Sequence, residues 1–201
     1  MQSFSTRRSV LSGLARASVA AQLGTGWLGS AIAAELPPTP ACGAPAAATA
    51  RQTEGPYFKR DSPQRASLLD GAGAGSGDRL ALGGRVLDGR CQPVAGVLLD
   101  FWQADARGDY DNEGMRLRGH QFSNATGRYR LDTVVPGLYP GRTRHLHVRV
   151  QAPGGPVLTT QLYFPGEAGN RSDWIFAPSL QVVAVRDGDG LLASFDFVLR
   201  G

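Results

Sequence analysis

Cysteine is scarce in this chain. Cys42 and Cys91 are the only two in 201 residues, too isolated for a structural zinc site, which draws closely spaced Cys and His ligands. Pairing between them is open, since it requires Cα atoms within about 7 Å and an oxidising compartment. Histidine is nearly as rare, at three residues, yet two of these stand one residue apart as His145 and His147. No segment of ten or more residues carries a helical period, which points away from helical folds. A long uninterrupted apolar run is also missing. The stretch from Val10 to Ile32 is broken by Gly13, Arg16, Gln22, Gly24 and Gly26, whereas a membrane-spanning helix wants about 20 mostly apolar residues.

That broken run follows Thr6-Arg7-Arg8-Ser9-Val10-Leu11, a twin-arginine pattern, and ends in Ala31-Ile32-Ala33-Ala34, a small-residue cleavage site. The expectation is an export leader over 1–34, delivering the protein to the periplasm or beyond. The leader holds Arg7, Arg8 and Arg16 and no acidic residue, so its removal takes the formal charge from +4 to +1. So small a balance implies no nucleic-acid partner and, once the leader is gone, no membrane surface.

Residues 35–78 read as an extended arm and flexible linker. Leu36 to Ala50 is Pro/Ala-rich, and Gly71 to Gly77 is a glycine spacer. Between them Thr53-Glu54-Gly55-Pro56-Tyr57-Phe58 fixes a turn between a carboxylate and two aromatics. The body, 79–201, reads as β throughout. Val94 to Trp102 alternates, with Val97, Leu99 and Phe101 on one face and Leu98, Asp100 and Trp102 on the other. Further strands are expected from Leu80 to Leu87, Gly127 to Thr133, Thr143 to Val150, Val157 to Phe164, Leu180 to Val185 and Leu191 to Leu199. Asp187-Gly188-Asp189-Gly190 is a hairpin turn, and Gly83-Gly84 marks a bulge or a close backbone approach. Seven to eight short strands between Gly/Pro-rich turns predict an all-β sandwich. Its Gly84-x-Val86 and Pro93-Val94-x-Gly96-Val97 pattern resembles prealbumin (transthyretin-like) sandwiches, some of which bind partners without metal.

Within Pro136-Gly137-Leu138-Tyr139-Pro140-Gly141-Arg142-Thr143-Arg144-His145-Leu146-His147 stand a phenol, a guanidinium and two imidazoles. On a strand His145 and His147 point the same way while Leu146 and Val148 pack inward. Tyr110 follows the strand break at Gly108, and Tyr110, Tyr139, His145 and His147 together read as one metal site. Imidazole suits several metals, but phenolate is a hard oxygen donor that favours a trivalent ion, so the set points to Fe(III). A cupin-type site would want a Glu a few residues beyond His147, where Val150, Gln151 and Ala152 stand. His120 matches no ligand position and reads as a loop residue, while Tyr129 and Tyr163 read as core or supporting positions.

These motifs, together with Gly84-Arg85-Val86 and Gly127-Arg128-Tyr129, resemble the intradiol ring-cleavage dioxygenases, over roughly 52–199. The resemblance implies a non-haem Fe(III) enzyme that opens a small aromatic diol with O2 between its two hydroxylated carbons, giving a cis,cis-muconate-type diacid, and a homo-oligomer. It makes Tyr110 and His145 lasting ligands, Tyr139 and His147 the axial pair, and Tyr139 the phenolate that leaves when substrate binds. Arg142 would face the negative charge developing on the substrate, Gln161 would line the oxygen side, and Gly55 and Pro56 would border the substrate ring. The connection from Tyr139 to His145 is several residues shorter than in the protocatechuate enzymes and lacks their tryptophan.

Overall fold

The computed structural model describes residues 42, 48–69 and 77–200. The expected leader lies outside the described residues. Nine strands occur among them: β1 (Arg79–Leu87), β2 (Leu98–Trp102), β3 (Arg118–Phe122), β4 (Arg128–Val134), β5 (His145–Gln151), β6 (Leu158–Tyr163), β7 (Val183–Asp187), β8 (Gly190–Ser194) and β9 (Phe197–Val198). One sheet runs β4-β1-β8-β7 with β9 also on β1, and the other runs β3-β2-β5-β6. The remaining regular structure among the described residues is two short 3-10 helices, Ala168–Arg171 and Pro178–Leu180. The architecture is the all-β sandwich read from the sequence.

Period-two alternation builds it. On β5 Leu146, Val148 and Val150 are fully buried between the sheets with Leu99 and Phe101 of β2 and Leu80, Leu82 and Leu131 from the opposing sheet. Burying each such side chain is worth about 1.5–3 kcal/mol. The same alternation sends His145, His147 and Arg149 to the outer face, where pairing sets His147 beside Trp102 of β2 and Gln161 of β6. That face is the floor of the site.

Four local expectations are corrected or completed. His120 lies on β3, paired with Asp100, rather than in a loop; Arg118-Gly119-His120-Gln121-Phe122 has too few apolar residues to announce a strand, and its edge is fastened by neighbouring backbone. His120 N donates to Pro63 O at 3.0 Å and Arg65 N to His120 O at 2.8 Å. The last strand breaks into β8 and β9 because Asp196 turns its carboxylate to Arg85 N at 2.8 Å. There the backbones close up, and a Cβ on Gly84 would stand 1.9 Å from Phe195 O, the close approach that Gly83-Gly84 foreshadowed. Cys42 and Cys91 form a disulfide with Cα atoms 5.9 Å apart.

Residues 48–69 pack along the sandwich. Thr49 N donates to Val198 O at 2.9 Å, Gln52 N to Thr159 O at 2.9 Å and Leu68 N to Asp132 O at 2.8 Å. Leu68 is itself part of the core. The arm thereby crosses the outer face of the β3-β2-β5-β6 sheet, above the two histidines.

Candidate metal centre

Two loops deliver the tyrosines. The β2–β3 loop carries Tyr110 and the β4–β5 loop carries Tyr139, and glycines let their backbones touch. Gly108 has φ +98, and a Cβ there would sit 2.1 Å from Leu138 O; a Cβ on Gly137 would sit 2.3 Å from Gly108 N. Gly137 N then donates to Asp105 O at 2.7 Å. Only glycine allows this contact, which explains the Pro-Gly before Leu138-Tyr139. Arg144 holds the second loop from below, donating to Glu167 at 2.8 Å and to the carbonyl of Pro136.

Three of the expected donors, Tyr110, His145 and His147, meet, and the fourth, Tyr139, packs against Tyr110. Tyr110 Oη lies 3.3 Å from His145 Nε2, the two imidazole centroids are 4.9 Å apart, and Tyr110 is 5.8 Å from Tyr139 and 6.2 Å from His147, ring to ring. His145 Nδ1 lies 2.7 Å from Thr143 O; a carbonyl only accepts, so Nδ1 carries the proton and Nε2 presents its lone pair to the site. His147 is stacked on Trp102 at 4.9 Å, and its buried Nδ1 has no hydrogen-bond partner among the described residues.

Electrostatics favour neutral imidazoles. Burial lowers His145 to about 4 and holds His147 well below its ordinary value, with neighbouring cations adding to both. Burial pushes the Tyr110 phenol up, against the pull of Arg142 and Arg118, so its ionisation calls for a cation in contact. Among the described residues no group of three or more His, Cys, Asp or Glu side chains could hold a metal. The donor set on offer is therefore phenol and imidazole. Two lone-pair-bearing buried imidazoles beside two phenols fit a trivalent ion.

The remaining expected residues surround the donors. Arg142 Nε donates to Asp173 Oδ2 at 2.8 Å and Nη2 to Gln161 Oε1 at 2.7 Å. Gln161 Nε2 in turn reaches Thr53 O at 3.0 Å, and Tyr163 Oη donates to Gln161 Oε1 at 3.2 Å. Gly55, at φ +71, stands over His147, where a Cβ would lie 3.4 Å from Cε1. Pro56 follows it and is exposed. Tyr129 lies in the core, donating to Phe195 O at 2.7 Å. A groove of about 570 Å³ on the other sheet, lined by Arg79, Arg130 and Leu192 among others, carries none of the donors.

A protein-family model described as "Dioxygenase" matches residues 53–201. The chain belongs to the intradiol ring-cleavage dioxygenase family. It is 33% identical over 174 residues to 6-chlorohydroxyquinol 1,2-dioxygenase of Cupriavidus pinatubonensis, covering 73% of this chain and 62% of that protein. To the protocatechuate 3,4-dioxygenase beta chain of Burkholderia cepacia it is 34% identical over 154 residues, covering 62% of this chain and 66% of that one. Among solved structures, the dioxygenase domain of a dioxygenase carbohydrate-binding protein fusion from Streptomyces sp. SirexAA-E matches with TM-score 0.74 and 55% identity, over 77% of this chain and 99% of that one. The chain spans 56 to 66% of the length of the first curated relatives it matches.

For this intradiol-family chain, the structure adds residues that sequence reasoning did not assign. Tyr57 stacks on Tyr110 at 4.2 Å and 9°, and its Oη lies 2.9 Å from Tyr139 Oη. Asp173 anchors Arg142. Arg118 lies buried behind the arm. Only the adjacency of Tyr57 to Gly55-Pro56 could have pointed to any of them.

Proposed function

We propose that the protein is a non-haem Fe(III) intradiol dioxygenase of catechol-type substrates, producing a cis,cis-muconate-type diacid. The observation that carries this reading is the meeting of Tyr110, His145 and His147 at one buried place, with the half-buried Tyr139 ring against Tyr110. Tyr110, Tyr139, His145 and His147 would hold a ferric ion, which would supply Lewis acidity toward a bound diol. Every other requirement falls to the chain itself. Thr143 O fixes the His145 tautomer through Nδ1–H, keeping Nε2 toward the ion. Tyr110, buried and against His145, is the phenolate that stays. Tyr139 is only half-buried and already hydrogen-bonded to Tyr57, so its Oη would be the base that takes one substrate proton, held against Tyr57 Oη. Arg142, oriented by Asp173 and Gln161, offers fixed positive charge where the substrate gathers negative charge. Gly55, against His147, and Pro56 border the substrate ring, and Gln161, tied to Arg142 and to Thr53 O, lines the oxygen side.

The substrates are a small aromatic diol and O2, and the working form is a homo-oligomer. Export through the twin-arginine route is supported by the Arg7-Arg8 motif and by the Cys42–Cys91 disulfide, which suits an oxidising compartment. His147→Ala tests the assignment. Iron content after ferric reconstitution is expected to fall to background together with oxygen uptake on catechol; full ring cleavage by an iron-depleted His147→Ala protein refutes the reading.

A further inference from the structure

Arg118 belongs to none of the roles above, yet it is 2% exposed and sits on β3 directly across from Trp102. Its Nη1 donates to Tyr57 O at 2.6 Å and its Nη2 to Asp111 O at 2.9 Å. Those carbonyls belong to the two segments that close the site. One carries the ring stacked on Tyr110, and the other is the residue after Tyr110 itself. A second arginine extends the tie: Arg65 Nε and Nη2 donate to Arg118 O at 3.0 and 2.8 Å, and Arg65 Nη2 to Met115 O at 2.6 Å. Arm and loop, far apart in sequence, are thus fastened to one edge strand by two guanidinium groups.

The chemistry of this contact is unusual for a residue serving stability alone. Among the described residues no carboxylate lies within ion-pair distance of Arg118, and its Nε is buried without a partner. A buried cation hydrogen-bonded only to neutral carbonyls, with Asp111 and Asp100 acting on it from beyond ion-pair distance, is costly, and an apolar side chain of similar volume would fill the space more cheaply. What an apolar residue or a lysine lacks is the planar fork that holds two carbonyls at once. We propose that Arg118 is a positioning residue whose fork clasps the 52–60 arm to the Tyr110 loop, and that closure of the arm over the donors, hence substrate affinity, depends on it. The kinetic part rests on the ring-cleavage reading; the clasp itself does not.

The test uses the full chain as wild type, Arg118→Lys, Arg118→Met and Arg65→Met. In chelator-treated protein, amide hydrogen exchange of peptides covering 52–60 is expected to quicken about tenfold in both Arg118 variants, the scale of losing hydrogen bonds from a charged donor, while β5 peptides keep their protection. In iron-loaded protein the KM for catechol is expected to rise about tenfold, with kcat falling by less than KM rises. Arm exchange at the wild-type rate in the variants overturns the proposal. So does wild-type behaviour of Arg118→Lys, since that makes charge rather than the fork the active feature. If Arg118→Met does not fold, Arg65→Met reads the same clasp, with faster arm exchange expected and unchanged exchange overturning it. A wild-type protein that binds iron yet leaves catechol untouched defeats the ring-cleavage reading, and arm exchange still decides on the clasp.

Discussion

Replacing Asp173 with Asn asks whether the guanidinium at the site is held in place by a buried anion. The Asp173 side chain is 1% exposed and that of Arg142 15%. Oδ2 accepts from Arg142 Nε at 2.8 Å and Thr143 N at 2.9 Å, and Oδ1 from Ile175 N at 3.1 Å. An amide of the same shape offers one oxygen and one NH2. Whichever way it lies, a backbone N–H or the guanidinium meets a donor in place of an acceptor. Breaking a buried charge pair costs about 3–5 kcal/mol; Arg142 keeps some solvent and its bond to Gln161, so the lower end, about 3 kcal/mol, is expected from urea unfolding at pH 7. The pH dependence has a definite sign. Burial alone would raise the Asp173 carboxyl, but the N–H groups of Thr143 and Ile175 and the Arg142 guanidinium outweigh it and hold the carboxyl below its ordinary value. Its folded pKa being lower than its unfolded one, the carboxylate's contribution is complete above the unfolded value of about 3.9 and is lost as pH falls through the lower folded value. The gap between wild type and Asp173→Asn should therefore be constant near neutrality and narrow below about pH 3.9. Turnover on catechol should drop about tenfold or more as Arg142 loses its orientation. A variant as stable as wild type at pH 7, or a gap that widens in acid, runs against this expectation.

Two further outcomes are expected. In chelated protein, stability should be full above about pH 6.5, where unfolded histidines are neutral, and decline as pH falls toward 4, where His145 itself takes a proton. Between pH 7.5 and pH 5 that amounts to about 2 kcal/mol from His145 alone, read as urea midpoints at the two pH values, and a flat profile contradicts it. Gly108→Ala should strain a φ of +98 and drive a Cβ into Leu138 O, costing at least about 2 kcal/mol and parting the two tyrosine loops; iron uptake should fall while the far-ultraviolet circular dichroism keeps its β signature, and normal uptake would count against the loop contact.

The parts of this molecule that were legible in its sequence are those governed by short-range rules. Alternation along Leu146 to Val150 announced both the core and the shared face of the two histidines, and Asp187-Gly188 announced the β7–β8 hairpin, where Gly188 takes φ +54. Strand β3 was illegible because its stability comes from backbone partners in the arm rather than from its own side chains. The packing of 48–69 was hidden for the same reason: Thr49 finds Val198 across most of the chain, and no local pattern encodes so distant a partner. Tyr57, Arg118 and Asp173 were missed because each acts through contacts that exist only once arm, loop and strand are assembled. Gly137, by contrast, was visible as a turn residue, but its purpose, the touch against Gly108, needed the fold.

The most direct measurement is the visible spectrum of the protein reconstituted with ferric iron, before and after anaerobic catechol and then in air. A tyrosinate-to-iron charge-transfer band is expected that moves to longer wavelength with catechol and fades in air as a muconate absorbance grows. A protein that stays colourless after ferric reconstitution would contradict the account and leave a metal-free sandwich that binds partners.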